Sequence, residues 1–379
     1  MSRILQKNFI FLVSLISFLC MAKKVCISVK VPPHTAGVYI AGNIEELGKW
    51  QPDKIKMQRV SEDTYKITFN VKESISKIEF KFTLGSWDKV EKGKNGEEIK
   101  NHIITFPFKD KYYFNVFSWA KENKKHTLTG NIKIIKNFYS PQLNNYRDII
   151  IYLPPSYYKC KYKRYPVLYM HDGQNLFDEK TSFAGEWHVD ETCERLIKSN
   201  EMKEIIVVGI YNKGKERLNE YTPTKSAKYS GGKGKLYAHF LIETLMPYIN
   251  SHFRTLKNQN AIMGSSLGGL ISLYIAFTYP QKFQYVGAMS SSLWWNNGEI
   301  INYIEKNGHE NFYLYVDIGT KEGKDILKLH RRLKKVLLKI GFKENKDFFY
   351  YEDKNAKHNE KFWSKRLKYP LLFFFGKKR

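Results

Sequence analysis

The chain is short of residues that staple or stiffen a fold, and short of acid. Its 379 residues hold four cysteines, 24 glycines and 12 prolines. Cys20, Cys26, Cys160 and Cys193 stand too far apart for a disulfide scaffold and match no zinc-binding spacing. So little glycine and proline excludes a fibrous or low-complexity chain. After residue 22 no apolar run reaches the roughly 18 residues of a membrane-spanning helix. The last run, 370–375, fits a buried strand or helix end, and the mature protein is expected to have no membrane span. Acid is scarce: 37 Asp and Glu stand against 63 Lys and Arg, a net charge of +26. Only 11 of those 63 are arginine, the residue that grips bases and phosphates bidentately. The lysines are scattered and no helix-turn-helix, zinc-finger or RNP pattern occurs. The excess reads as a solvated basic surface, with no nucleic-acid partner expected.

What is present supports two folded domains. The chain is 42% hydrophobic and 15% aromatic, far above a disordered composition. Residues 1–22 have the form of a secretory signal peptide. Arg3 and Lys7 precede an apolar run at 9–20, and Ala22 is a small residue at a cleavage position. Cys20 is a poor lipoprotein site, because bulky Phe18 and Leu19 precede it. The expected location is therefore secreted or periplasmic.

Between 23 and 120 the pattern is short alternating runs (25–31, 37–41, 64–71, 77–83, 111–117) separated by Pro32-Pro33, Gly48, Gly85 and Asn95-Gly96. That spacing predicts a small all-β sandwich. Residues 121–127 read as a linker. From 128 to 379, apolar strands at 132–138, 148–153, 166–170, 204–211, 260–263, 285–289, 312–318 and 348–352 alternate with helical patterns. The helices are expected at 236–253, 267–278, 324–340 and 360–367. This alternation predicts an α/β domain with a mostly parallel sheet.

The main chemical signal is Gly264-Ser265-Ser266-Leu267-Gly268, with an apolar strand before it and an apolar helix after it. A tight turn there lifts the Ser266 hydroxyl above the sheet and aims the Leu267 amide at a developing oxyanion. Of the histidines after Ser266, His330 falls mid-helix among Lys and Arg and reads as a solvated face. His309 lies in a polar turn before a strand. His358 follows the last strand and is the candidate base. The acid belongs after the preceding strand, where Glu322 is favoured over Asp317 and Asp325. The second oxyanion amide is assigned to Gly173 or Gln174, in the loop that starts at His171-Asp172. With no third ligand at suitable spacing, that pair orients the loop rather than holding a metal, and no cofactor is expected. Trp187, Tyr221, Trp294 and Trp295 fall in loops after strands and are candidate pocket walls.

Taken together these segments resemble the "Putative esterase" (esterase D-like) family of α/β-hydrolases, which includes feruloyl, other carbohydrate and siderophore esterases. The resemblance is carried by Ser140-Pro141-Gln142-Leu143, Arg147-Asp148-Ile149, Tyr152 through Tyr157, Tyr169 through Phe177 and Gly185-Glu186-Trp187. Glu220-Tyr221-Thr222-Pro223, the Ser266 turn, Asp317 through Gly323, and His358-Asn359-Glu360 with Trp363 complete it. It implies a Ser-His-acid esterase with Ser266, His358 and Glu322 in those roles. The first domain is similar to the starch-binding (family 20) carbohydrate-binding module. The carriers are Val38 through Asn43, Leu47-Gly48-Lys49-Trp50, Phe80-Lys81-Phe82 and Gly85-Ser86-Trp87. Trp50 and Lys81 match the family's glycan positions. Lys92 stands where many members carry a second platform tryptophan, which leaves Trp87 as its substitute. The expected function is an exported serine esterase, acting on an ester substrate that includes acylated carbohydrate, with a starch-like glycan held by the first domain. The rival is a non-catalytic glycan-binding protein on a hydrolase scaffold.

Overall fold

A computed structural model of the chain describes residues 22–72, 74–120 and 125–377. Apart from Ala22, the expected signal peptide lies outside the described residues. The chain divides into two compact units between residues 123 and 124.

The first unit is the expected β-sandwich of two four-stranded sheets. Lys23–Lys30 pairs antiparallel with Thr64–Val71 and parallel with Lys111–Asn115. The facing sheet sets Tyr39–Gly42 beside Lys77–Thr83, which in turn pairs with His102–Thr105. Alternation does the sorting: Val25, Ile27 and Val29 are fully buried, and so are Ile78, Phe80 and Phe82 from the other sheet.

The second unit is built on an eight-stranded sheet. Its strands are β1 (Asn131–Ser140), β2 (Asn145–Leu153), β3 (Tyr165–His171), β4 (Ile206–Ile210), β5 (Thr255–Ser265), β6 (Tyr285–Met289), β7 (Tyr313–Gly319) and β8 (Phe348–Asp353). They lie in the order β1-β2-β4-β3-β5-β6-β7-β8. β1 and β2 form an antiparallel hairpin, β2 meets β4 antiparallel, and every later neighbour is parallel. Every residue of β3 and β4 is buried, as befits central strands covered on both faces.

The helices used below are α1 (Val189–Lys198), α2 (Leu267–Thr278), α3 (Glu299–Asn307), α4 (Lys324–Lys339), α5 (Glu360–Arg366) and α6 (Lys368–Phe375). α6 is the helix-end reading of the last apolar run, and it buries Leu371, Phe374 and Phe375. Among the described residues no helix is long and apolar enough to cross a membrane.

Two expectations need correction. His330 is not on a solvated face: it is fully buried and aligns with Leu333 and Leu337 on the inner stripe of α4. Burial pushes its imidazole down to about 4, so it is neutral. The linker is also shorter than 121–127. His126 Nδ1 meets Asp178 Oδ2 at 2.7 Å, and Thr127 Oγ1 donates to Glu186 Oε2 at 2.7 Å, so both residues are fastened to the second unit.

Candidate active site

The parallel strands deliver their loops to one edge of the sheet, where three side chains from distant parts of the chain meet. Ser266 follows β5 directly, with φ +56° and ψ −122°. Such backbone is unfavourable for a residue with a Cβ and persists only when its surroundings fix it. Here the Ser266 amide donates to the Met289 carbonyl, while its own carbonyl accepts from Leu270 and Ser292. The turn is tight enough that a Cβ on Gly264 would sit 2.7 Å from the Gly268 carbonyl carbon, so no larger residue fits there.

Ser266 Oγ lies 3.0 Å from His358 Nε2, and His358 Nδ1 lies 2.6 Å from Glu322 Oε2. The loop after β7 brings in Glu322 and the loop after β8 brings in His358. Glu322 Oε1 accepts from the Ser290 hydroxyl at 2.6 Å and from the Gly319 amide at 2.8 Å. Burial alone would raise this carboxyl. The hydrogen bonds from His358, Ser290 and Gly319 outweigh it and hold the group below the ordinary glutamate range. The His358 side chain keeps 41% of its surface exposed, so the serine–imidazole pair opens to solvent.

The two rival acids have other work. Asp317 is fully buried under Arg366, which reaches it with Nε at 3.0 Å and Nη2 at 3.1 Å. Asp325 is 93% exposed beside Lys328 in the first turn of α4. Neither meets His358 in the hydrogen bonds described.

The loop after β3 approaches the same point. Asp172 takes the left-handed conformation (φ +57°) and is clamped by Arg217, with Nε and Nη2 at 2.7 and 2.8 Å, and by Asn212 at 2.7 Å. A Cβ on Gly173 would meet the backbone of Gly209 at 2.7 Å, so the loop lies flat against β4. Gln174 anchors it by accepting from the Asn212 amide at 3.1 Å. His171 is buried, meets the Tyr237 hydroxyl at 2.9 Å, and is pushed by burial down to about 4, hence neutral. Opposite this loop, Leu267 opens α2, where the first amides have no partner within the helix.

The aromatic candidates separate by burial. Tyr221 is fully buried and its hydroxyl accepts from the Asp172 amide. Trp187 is 3% exposed and packs on Trp363; Trp295 is 1% exposed and donates to the Thr224 carbonyl. These three are packed too deeply to wall a pocket. Trp294, 38% exposed with Tyr229 against it, is the one that offers surface.

Sequence reasoning missed Ser290, Ser292 and Arg366. Ser292 Oγ is 3.1 Å from Ser266 Oγ. Ser290 Oγ accepts from Trp363 Nε1 and Arg366 Nη2 while donating to Glu322. A signal existed for Arg366, since arginine is rare in this lysine-rich chain. Arg147, Arg217 and Arg366 each form a bidentate pair with a buried carboxylate, which lysine's single ammonium cannot reproduce.

In the first unit, Trp50 and Trp87 stand with ring centroids 6.3 Å apart, tilted by 40°. Lys81 is half-buried and donates to the Ile99 carbonyl at 2.7 Å. Lys92 pairs with Glu98.

A sheet in this order, with a strand–serine–helix turn at its carboxyl edge, defines the second unit as an α/β-hydrolase. The chain belongs to the "Putative esterase" family, whose model matches residues 140–374, and residues 24–114 match the starch-binding domain model. It is a carboxylic ester hydrolase of the serine esterase type. An endo-1,4-beta-xylanase/feruloyl esterase from Xylanibacter ruminicola is 27% identical over 224 residues, 58% of this chain and 28% of that one. An amylopullulanase from Thermoanaerobacter thermohydrosulfuricus is 44% identical over 84 residues, 22% of this chain and 6% of that one. The crystal structure of the BES protein from Bacillus cereus superposes with TM-score 0.54 at 25% identity, covering 66% of this chain and 97% of that one.

Proposed function

We propose that the chain is an exported serine esterase that removes acyl groups from carbohydrate. The observation that carries this is the unbroken hydrogen-bonded line from Ser266 through His358 to Glu322, open to solvent at the serine end. In this reading His358 takes the Ser266 proton as Oγ attacks the ester carbonyl. The amides of Leu267 and of Gly173 or Gln174 hold the oxyanion. His358 then protonates the leaving alcohol, and water frees the acyl group by the same route in reverse.

Glu322 keeps the imidazole in the required tautomer and balances its positive charge. Glu322→Gln should lower kcat on p-nitrophenyl acetate by about a hundredfold to ten-thousandfold, whereas Asp325→Asn should leave it unchanged. Because the Glu322 carboxyl is held low, it is charged at and above the ordinary carboxylate pKa and gains a proton only in stronger acid. A pH–rate profile between about pH 5 and 8 should therefore show no loss from this group.

The carbohydrate part of the proposal is supported by the starch-binding match and by the tryptophan pair on the first unit. Sugar rings place their apolar faces on such aromatics. Trp50→Ala should weaken retention on insoluble starch by about 30-fold, the size of a tryptophan hot spot near 2 kcal/mol, with p-nitrophenyl acetate hydrolysis unchanged. Release of ferulate or acetate from acylated polysaccharide, measured beside a siderophore ester, tests the substrate class. Faster turnover of the siderophore would overturn it. Amino-terminal sequencing of protein recovered outside the cytoplasm tests export, with a new start at 23 as the expected result.

A further inference from the structure

At the entry to α1, three potential metal ligands meet, none of which has a part in the proposed reaction. His188 Nδ1 lies 3.3 Å from Glu186 Oε2 and 3.4 Å from Glu191 Oε1. One donor atom from each of the three falls within 4.8 Å of the others. The Glu186 side chain is only 1% exposed, yet its Oε1 has no hydrogen-bond partner. The fully buried Asp190 carboxyl, between Glu186 and Glu191 in sequence, is hydrogen-bonded to the Glu191 carboxyl. Among the described residues no Lys or Arg is paired with these carboxyls, although the chain carries 63 of them.

Grouped carboxyl oxygens shut away from water need a counter-charge: a shared proton, a cationic side chain such as an imidazolium, or a metal ion. Glu191 is met by Asp190 and by His188, which leaves the buried Glu186 Oε1 open to a metal ion. Thr127 Oγ1 donates to Glu186 Oε2 at 2.7 Å, which leaves Oε1 open, and the Thr129 amide holds Oδ2 of Asp190, which is not a ligand, at 2.6 Å. That is how outer hydrogen bonds orient ligating carboxylates. We infer that Glu186, His188 and Glu191 form a binding site for a divalent transition-metal ion of the zinc or manganese class.

An imidazole nitrogen with two carboxylates suits those ions better than calcium or magnesium, which prefer oxygen throughout. Two carboxylates neutralise the ion's charge. The site is structural. Trp187, between two of the ligands, packs on Trp363 with centroids 5.7 Å apart, and the Trp363 ring meets His358 edge-on at 4.9 Å. A bound ion would fix the backing of that imidazole without touching substrate. The inference does not depend on the proposed function.

The test uses untagged full-length protein, stripped with chelator, dialysed against Zn²⁺ and measured for metal per chain. His188→Ala and Glu191→Gln are treated alongside; His188 is half exposed, so its removal leaves the core intact. Wild type should hold one more Zn²⁺ per chain than either variant. Its thermal midpoint should rise by a few degrees with Zn²⁺ and not with Ca²⁺, and the variants should show no rise. No Zn²⁺ on wild type, equal Zn²⁺ on either variant, or an equal rise with Ca²⁺ would overturn the proposal.

Discussion

Ser266→Ala should lower turnover of p-nitrophenyl acetate by about a thousandfold or more, and His358→Ala by a similar factor. The two changes should not multiply. The serine cannot attack without a base, and the base has no proton to move without the serine. The double variant should therefore match either single one, with a residual rate left by the oxyanion amides and substrate binding. A fluorophosphonate should label wild type and leave Ser266→Ala bare. Alanine removes a single oxygen at a position already fixed by the Met289, Leu270 and Ser292 hydrogen bonds, so circular dichroism should not change. Equal rates in wild type and all its variants, with no labelling, would favour the glycan-binding scaffold over the enzyme.

The Ser266 turn could be read from sequence because it is local. Gly264, Gly268, the preceding strand and the following helix lie within one short segment, and the observed α2 spans the expected 267–278. The β-sandwich was readable for a similar reason, since alternation along a single strand reports which face is buried. His358 came from chain order alone, and the geometry places it at hydrogen-bond distance from Ser266.

What sequence order did not reveal depends on contacts across the sheet. His330 sits among charged neighbours, but its stripe on α4 carries Leu333 and Leu337, so packing decided its burial. Tyr221, Trp187 and Trp295 follow strands of the sheet and are buried, and nothing in a loop's sequence says whether a ring turns toward a ligand or into the core. The cluster around Glu186 was hidden for the same reason: its neighbours Thr127 and Thr129 come from a segment some 60 residues earlier.

Arg366 is where stability and the candidate site are joined, and its replacement carries the largest expected loss of stability. The side chain is 1% exposed. Its guanidinium holds Asp317 through two hydrogen bonds and donates to Ser290 Oγ at 2.7 Å, the hydroxyl that in turn donates to Glu322. Arg366→Met keeps the aliphatic stem and strands Asp317, fully buried, with only the Tyr315 hydroxyl and the Ser290 amide as donors. Breaking one side of a buried ion pair costs about 3–5 kcal/mol. For a unit of this size that corresponds to a fall in thermal midpoint of roughly 10 °C. Adding Asp317→Asn should recover a large part of the loss, because the uncompensated charge rather than the missing contact is the main penalty. Esterase activity at a temperature where the single variant is still folded should fall less than in Glu322→Gln, since Gly319 and His358 still hold the carboxylate. Calorimetry of the three proteins measures the first two effects. Burial already pushes the Asp317 carboxyl up to about 6, so a single variant within about 1 kcal/mol of wild type would show that Asp317 takes up a proton or finds a counter-charge elsewhere, and the bidentate pair would then be incidental to the fold.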